Sequence, residues 1–284
     1  MGDEARFAAD LYQGTAEYYD RYRLPYRRAM LGDLAARARV SEHGRLLDLA
    51  CGTGQLTFPL RRQFTEVWAV DQEPDMVELV RTKAAAMSAG NIRAIVSTAE
   101  DLAAEPEYFE LVVVGIAFHR LDRDAVARRV FSWLEPGGHL ALCWSSSPWT
   151  GEEEDWQRVL ATILAQWQAR LGAEQRAPEG WDTARSDRPD SQVLAEAGFE
   201  VLGRCEFTRE HRWSLRELAG LIRSTSFLPS SVLGDQAAAF DEDLAAGLRP
   251  YGDGGVYAET VSFAYDLARK PAAPTVVDDR ADGA

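Results

Sequence analysis

Cysteine is scarce in this chain of 284 residues: Cys51, Cys143 and Cys205 are the only three, far apart and outside any CxxC or Cys/His cluster. An odd, scattered set gives neither a disulfide framework nor the ligand spacing of a structural zinc site, so no metal is expected. Cys51 and Cys143 each sit in an apolar run and are expected as buried, reduced thiols. Basic charge is also short: 31 Lys and Arg face 45 Asp and Glu, a net charge of −14. Binding along nucleic acid or on an anionic membrane needs a basic face, so neither partner is expected. No apolar run reaches the ~18 residues of a membrane span. The opening residues MGDEARFAADLYQG mix charges and lack the apolar core of a signal peptide, which predicts a cytoplasmic protein.

What the chain does contain is ordinary for a globular protein, with 46% hydrophobic and 27% charged residues. A chain of this length buries about 75% of its unfolded surface and needs no covalent staple. The first half alternates short apolar runs with helical patterns. Leu31, Leu34, Ala35 and Ala38 form a helical stripe; residues 45–50 form an apolar run that meets Gly52 and Gly54. A helix is predicted over Gln55–Gln63. Further apolar runs follow at Val67–Val70, Ile92–Val96, Leu111–Ile116 and Leu140–Trp144. Strands spaced this way with helices between them predict βαβ units and a doubly wound α/β fold on a mostly parallel sheet. After Ser145 the rhythm changes. Trp156, Val159, Leu160, Ile163, Leu164, Trp167 and Leu171 give an amphipathic helix, and residues 172–190 look like a loop. A strand is predicted over Phe199–Phe207, a helix opened by the capping box Ser214-x-x-Glu217, and a last strand over Val256–Leu267.

The chemistry concentrates in Asp48-Leu49-Ala50-Cys51-Gly52-Thr53-Gly54-Gln55. A strand ends in an acid, a glycine turn lets a ligand approach the backbone, and a helix start offers unpaired N–H groups. Asp71 closes the next strand, where an acid can take both hydroxyls of a ribose. This is a nucleoside-binding geometry. A dinucleotide site wants G-x-G-x-x-G, and Thr57 stands at the third glycine position. An acid on the first strand suits instead a ligand with a cationic amino group and no pyrophosphate, which points to S-adenosylmethionine.

The segment resembles motif I of class I S-adenosylmethionine-dependent methyltransferases, with Ala50 in place of the first glycine, and the resemblance runs over residues 15–145. It is similar to the small-molecule branch that holds ubiquinone/menaquinone-type and trans-aconitate-type enzymes. The resemblance implies a seven-stranded Rossmann-like sheet with a helical substrate cap. It implies that Tyr18-Tyr19-Asp20-Arg21-Tyr22-Arg23-x-Pro25-Tyr26 is a lid over the methionine end, and that Asp71 and Gln72 hold the ribose with Met76 beneath the adenine. Ser97-x-Ala99-Glu100-Asp101 would be the adenine loop, and Leu134-Glu135-Pro136-Gly137-Gly138 the turn before the fifth strand. Candidate cofactor contacts are therefore Tyr19, Tyr22, Arg23, Asp48, Ala50, Gly52, Gly54, Gln55, Asp71, Gln72, Met76, Ala99, Glu100, Asp101 and Ile116. The implied parts are an N-terminal helical lid (1–40), a cofactor core (41–146), a variable cap interleaved with the sixth strand (147–255), a final strand (256–269) and a disordered tail (270–284).

His119 follows the fourth apolar run, where a methyl would be presented. It is a candidate to accept a proton from a nucleophile, or to pack near the sulfonium. Trp149, directly after the fifth strand, would border the acceptor with His119. Together these features predict a methyltransferase acting on an oxygen or nitrogen of a small molecule, as a monomer or homodimer. The setting expected by analogy is secondary-metabolite tailoring, antibiotic biosynthesis included, and the acidic balance makes an amine or amino-sugar acceptor conceivable. An NAD-dependent oxidoreductase, a nucleic-acid methyltransferase and a protein that binds the cofactor without methyl transfer are the alternatives.

Overall fold

Each apolar run of the first half becomes a strand with helical chain behind it. A computed structural model describes Phe7, residues 10–176 and residues 185–272 of the chain. The strands are β1 (Arg45–Leu49), β2 (Glu66–Asp71), β3 (Ile92–Val96), β4 (Phe109–Gly115), β5 (Leu134–Ser145), β6 (Glu200–Ser214) and β7 (Val256–Arg269). The helices include α1 (Ala16–Tyr22), α2 (Arg28–Arg37), α3 (Thr57–Leu60), α4 (Pro74–Ala86), α5 (Arg123–Trp133), α6 (Asp155–Leu171), α7 (Asp190–Glu196), α8 (Leu215–Arg223) and α9 (Ala237–Leu248), with a further single turn at Ser230–Leu233. One seven-stranded sheet has the order β3-β2-β1-β4-β5-β7-β6. The first five strands pair in parallel. β7 runs antiparallel between β5 and β6. The chain thus has the mostly parallel, Rossmann-like sheet predicted from its sequence.

Strand side chains alternate, so the sheet has two buried faces. Leu47, Leu49, Val112, Val114, Leu140 and Leu142 meet Val126 and Val130 of α5 and Val193 and Leu194 of α7. Leu46, Val67, Leu111, Val113 and Ala141 meet Met30, Leu31 and Leu34 of α2, and Cys143 is buried among them. A third cluster builds the cap: Trp156, Leu160 and Trp167 of α6, Leu218 and Ile222 of α8 and Phe240 and Leu244 of α9 close on Trp213 and Tyr257. Two of the three cap helices, α6 and α8, begin on reciprocal capping boxes, Glu154 with Gln157 and Ser214 with Glu217, which satisfy otherwise unpaired N–H groups.

Three boundaries differ from the sequence reading. The helix predicted over Gln55–Gln63 shrinks to α3 and one 3₁₀ turn, Arg61–Gln63, because the left-handed turn preceding it delays its start to Thr57. The Leu134–Gly138 segment is not only a turn. Leu134 already pairs with Phe109 and His139 with Leu111, so the register shifts between them and the intervening residues bulge. A Cβ on Gly138 would come within 2.9 Å of the Glu135 carbonyl oxygen, which is why the bulge takes glycine. The sixth strand runs on to Ser214, because β7 supplies partners along its whole length. The predicted tail from residue 273 onward lies outside the described residues.

Candidate active site

The site grows from the carboxyl end of β1. Ala50, Gly52 and Gly54 all have positive φ, at 56°, 54° and 87°. For Ala50 that conformation costs about 1–2 kcal/mol, a strain held in place by the Cys51 amide, which donates to the Val70 carbonyl at 2.9 Å. Gly52 also lets the lid close: a Cβ there would stand 3.2 Å from the Tyr19 ring. Asp71, at the end of β2, accepts from the Gly52 amide at 2.8 Å through one oxygen and from the Glu73 amide at 2.9 Å through the other. Burial raises the Asp71 carboxyl, while the amides of Glu73, Gly52 and Gln72 pull it back.

Asp48 is 1% exposed and accepts from the Thr57 hydroxyl at 2.5 Å. Burial pushes its carboxyl up to about 7 despite that bond, and no cation pairs with it among the described residues. A buried carboxylate without a cation is costly, so the site is chemically incomplete until a positive group arrives.

A cleft of about 620 Å³, open mouth included, lies over this turn. It gathers Tyr19, Arg23, Asp48, Ala50, Gln55 and Ile116 of the sequence-predicted set. Arg23 lies 4.9 Å over the Tyr19 ring, and its Nε donates to the Ser224 hydroxyl of the cap at 2.9 Å. Gln55 accepts from the Thr53 hydroxyl at 2.8 Å. Lys83 of α4 donates to Asp20 at 2.5 Å and to the Thr53 carbonyl at 2.8 Å, tying α1 to the glycine turn.

Other predicted residues lie elsewhere. Gln72 is exposed after β2, while Met76 and Ala99 are buried in the adjoining core. Glu100 accepts from the Asp122 amide at 3.0 Å and Asp101 from the Thr98 hydroxyl at 2.8 Å, so both acids shape their loops. Tyr22 stacks on Tyr18 and packs against Gly220 of α8, facing the cap. Trp149 meets Phe227 edge-on at 5.4 Å, within the cap cluster.

His119 is stacked on Trp144, 5.9 Å between ring centres, and does not line the cleft. Its Nε2 accepts from Arg120 Nε at 3.2 Å. Burial, then the guanidinium groups of Arg120, Arg185 and Arg123, push its pKa down to about 3. A neutral ring whose Nε2 lone pair is engaged suits the packing role better than proton abstraction.

Tyr26 of the predicted lid segment also lines the cleft, while Gly115, Ser145, Ser147, Trp213 and Leu221 escaped sequence reasoning. Gly115 and the serines had a signal, since ligands of such sheets bind at the carboxyl ends of strands. Trp213 and Leu221 had none, because the cap brings them in. Glu73 was also missed. It is 5% exposed, burial pushes its carboxyl up to about 7, and it accepts from the Tyr12 amide at 3.3 Å. The Gly14 amide bonds Asp75 at 3.0 Å, so both acids seat the segment that leads into α1.

A doubly wound sheet with a glycine turn, a strand-end acid on each side of it and a lid above defines a nucleoside-binding α/β protein of the methyltransferase type. Comparison with known proteins agrees. The family profile described as "Methyltransferase domain" matches residues 46–138. An uncharacterized methyltransferase of Schizosaccharomyces pombe is 30% identical over 192 residues, 66% of this chain and 67% of that protein. One from Mycobacterium tuberculosis is 34% identical over 120 residues, 42% of this chain; the match spans 46% of that relative's length, about half. The ubiquinone/menaquinone biosynthesis C-methyltransferase of Geotalea daltonii is 28% identical over 115 residues, 39% of this chain and 49% of that enzyme. Among solved structures, the YcgJ protein of Bacillus subtilis shares the fold, with a TM-score of 0.55 at 17% identity over 87% of this chain and all of that one. The chain belongs to the class I S-adenosylmethionine-dependent methyltransferase family.

Proposed function

We propose that the chain transfers a methyl group from S-adenosylmethionine to an oxygen or nitrogen of a small molecule, acting as a monomer or homodimer. The observation that carries this reading is Asp48, a buried carboxylate without a cation at the floor of a glycine turn. The residues fit the cofactor: Asp48 complements its ammonium, Asp71 its ribose hydroxyls, and Tyr19 with Arg23 covers its methionine end. When bound, the cofactor supplies a methyl already activated on a sulfonium. The chain's own part is to hold the acceptor in line with that methyl and to exclude water, an alignment that can contribute about 7–11 kcal/mol. Tailoring of a secondary metabolite is the setting we attach to this reaction, on the size of the cap. Calorimetry with S-adenosylmethionine, S-adenosylhomocysteine and NAD tests the first step. Binding of the two sulfur nucleosides but not NAD is expected, and its loss in a folded D48A/D71A variant. Binding of NAD alone overturns the reading.

A further inference from the structure

The cap holds a buried acid that the proposed chemistry does not use. Glu259 on β7 is 6% exposed, and burial raises its carboxyl above the ordinary range. Its partners are two neutral donors, the indole Nε1 of Trp213 at 2.6 Å and Nε2 of Gln157 at 2.7 Å. No cation pairs with it among the described residues. The two donors meet separate oxygens, and an amide in its place would keep one of these acceptors and turn an N–H group toward the other donor. What the carboxylate adds is a stronger, charge-assisted bond to the indole. Gln157 extends the restraint, because its Oε1 accepts from the Glu154 amide at the start of α6. One network therefore joins α6, β7 and β6, and Trp213 is its end point.

Trp213 is 2% exposed, yet it forms part of the cleft wall with Leu221 and Pro148. The only charged side chains lining the cleft among the described residues are Asp48 and Arg23. Asp48 belongs to the glycine turn, and Arg23 stacks on Tyr19 above it. The Trp213 wall itself presents apolar surface and serine hydroxyls. No carboxylate stands at this wall, so an ammonium would meet only the indole face and serine hydroxyls there, without the opposite charge that offsets its desolvation.

We propose that Glu259 is a positioning residue that fixes the Trp213 indole as the acceptor wall of the cleft, and that the acceptor group set against this wall is a flat, uncharged ring. The word acceptor rests on the methyltransferase reading above.

The test uses fluorine-19 NMR of the full chain labelled with 5-fluorotryptophan, with W213F assigning the Trp213 signal. Phenol, benzylamine and benzoate are titrated into protein with and without S-adenosylhomocysteine. Phenol is expected to move the Trp213 signal at concentrations ~10-fold lower than the charged rings. E259L is expected to split or broaden that signal. E259Q keeps it single but weakens the phenol response ~3-fold, a loss of charge assistance that a merely space-filling role would not show. S-adenosylhomocysteine affinity is unchanged in both variants. A phenol response in E259Q equal to wild type, a charged ring that matches phenol, or a Trp213 signal indifferent to all three fragments overturns the proposal. Absence of S-adenosylhomocysteine binding instead sinks the methyltransferase reading, while the fragment response of the free protein still reads Trp213.

Discussion

The Thr57 hydroxyl donates to the Asp48 carboxylate at 2.5 Å, so the position that a dinucleotide site gives to a third glycine here holds the strand-end acid. Thr57→Val keeps the shape and removes the donor. It is expected to lower stability by about 1–3 kcal/mol at neutral pH, read by urea unfolding, because the acid is left buried with one partner fewer. A change below 0.5 kcal/mol would show that the bond carries no weight.

Asp48 and Glu73 both have folded-state values near 7, raised from the ordinary carboxyl range by burial. Between that range and neutrality the folded chain binds more protons than the unfolded one, so these groups make stability fall as pH rises toward 7. The cost of ionisation is fully present above the folded value and absent below the unfolded value. The thermal midpoint of the ligand-free protein is expected to drop from pH 5 to pH 7, and less steeply in Asp48→Asn. Binding of a cationic cofactor at pH 6 should expel part of the Asp48 proton, with ~1 proton or fewer released, measured by calorimetry in buffers of different ionisation enthalpy. Proton uptake on binding would contradict the placement of the ammonium.

His119 is neutral and occupied at Nε2. His119→Phe, which preserves the stack on Trp144, is expected to keep turnover within ~10-fold and to leave the pH–rate profile unchanged; a general base would lose 10²–10⁴-fold. An inflection near neutrality that vanishes in the variant would restore His119 as the proton acceptor.

Lys83 bridges Asp20 of the lid and the Thr53 carbonyl of the glycine turn. Lys83→Met should speed release of S-adenosylhomocysteine ~5-fold in stopped-flow displacement, because a half-buried, charge-assisted pair no longer holds α1 down. An unchanged off-rate with an unchanged association rate would remove the latch from the account.

What the sequence disclosed was what lies close along the chain. The turn from Asp48 to Gln55 was readable because a strand, an acid and two glycines are contiguous, and Asp71 because it ends the next strand. The α6 stripe was readable because burial on one face imposes its own period. Trp213, Leu221 and Glu259 were not readable, since each enters its site through a strand pairing or a helix docking more than a hundred residues from the glycine turn. The state of His119 was hidden for the same reason: Arg185, one of the groups that keep it neutral, comes from a distant stretch of chain to lie over Trp144, on which His119 stacks. Net charge does not bear on the cleft, because −14 is a property of the whole surface while the cleft lining shows one acid and one base.

The place of β7 in the sheet has a consequence for how the protein comes into being. β6 reaches the sheet only through β7, which is made after it and slots between β5 and β6. A chain still leaving the ribosome can assemble its nucleoside turn early, since that needs only β1, β2 and β4. The opposite wall of the cleft, at Trp213 on β6, gains its strand partner only when the last strand has been made.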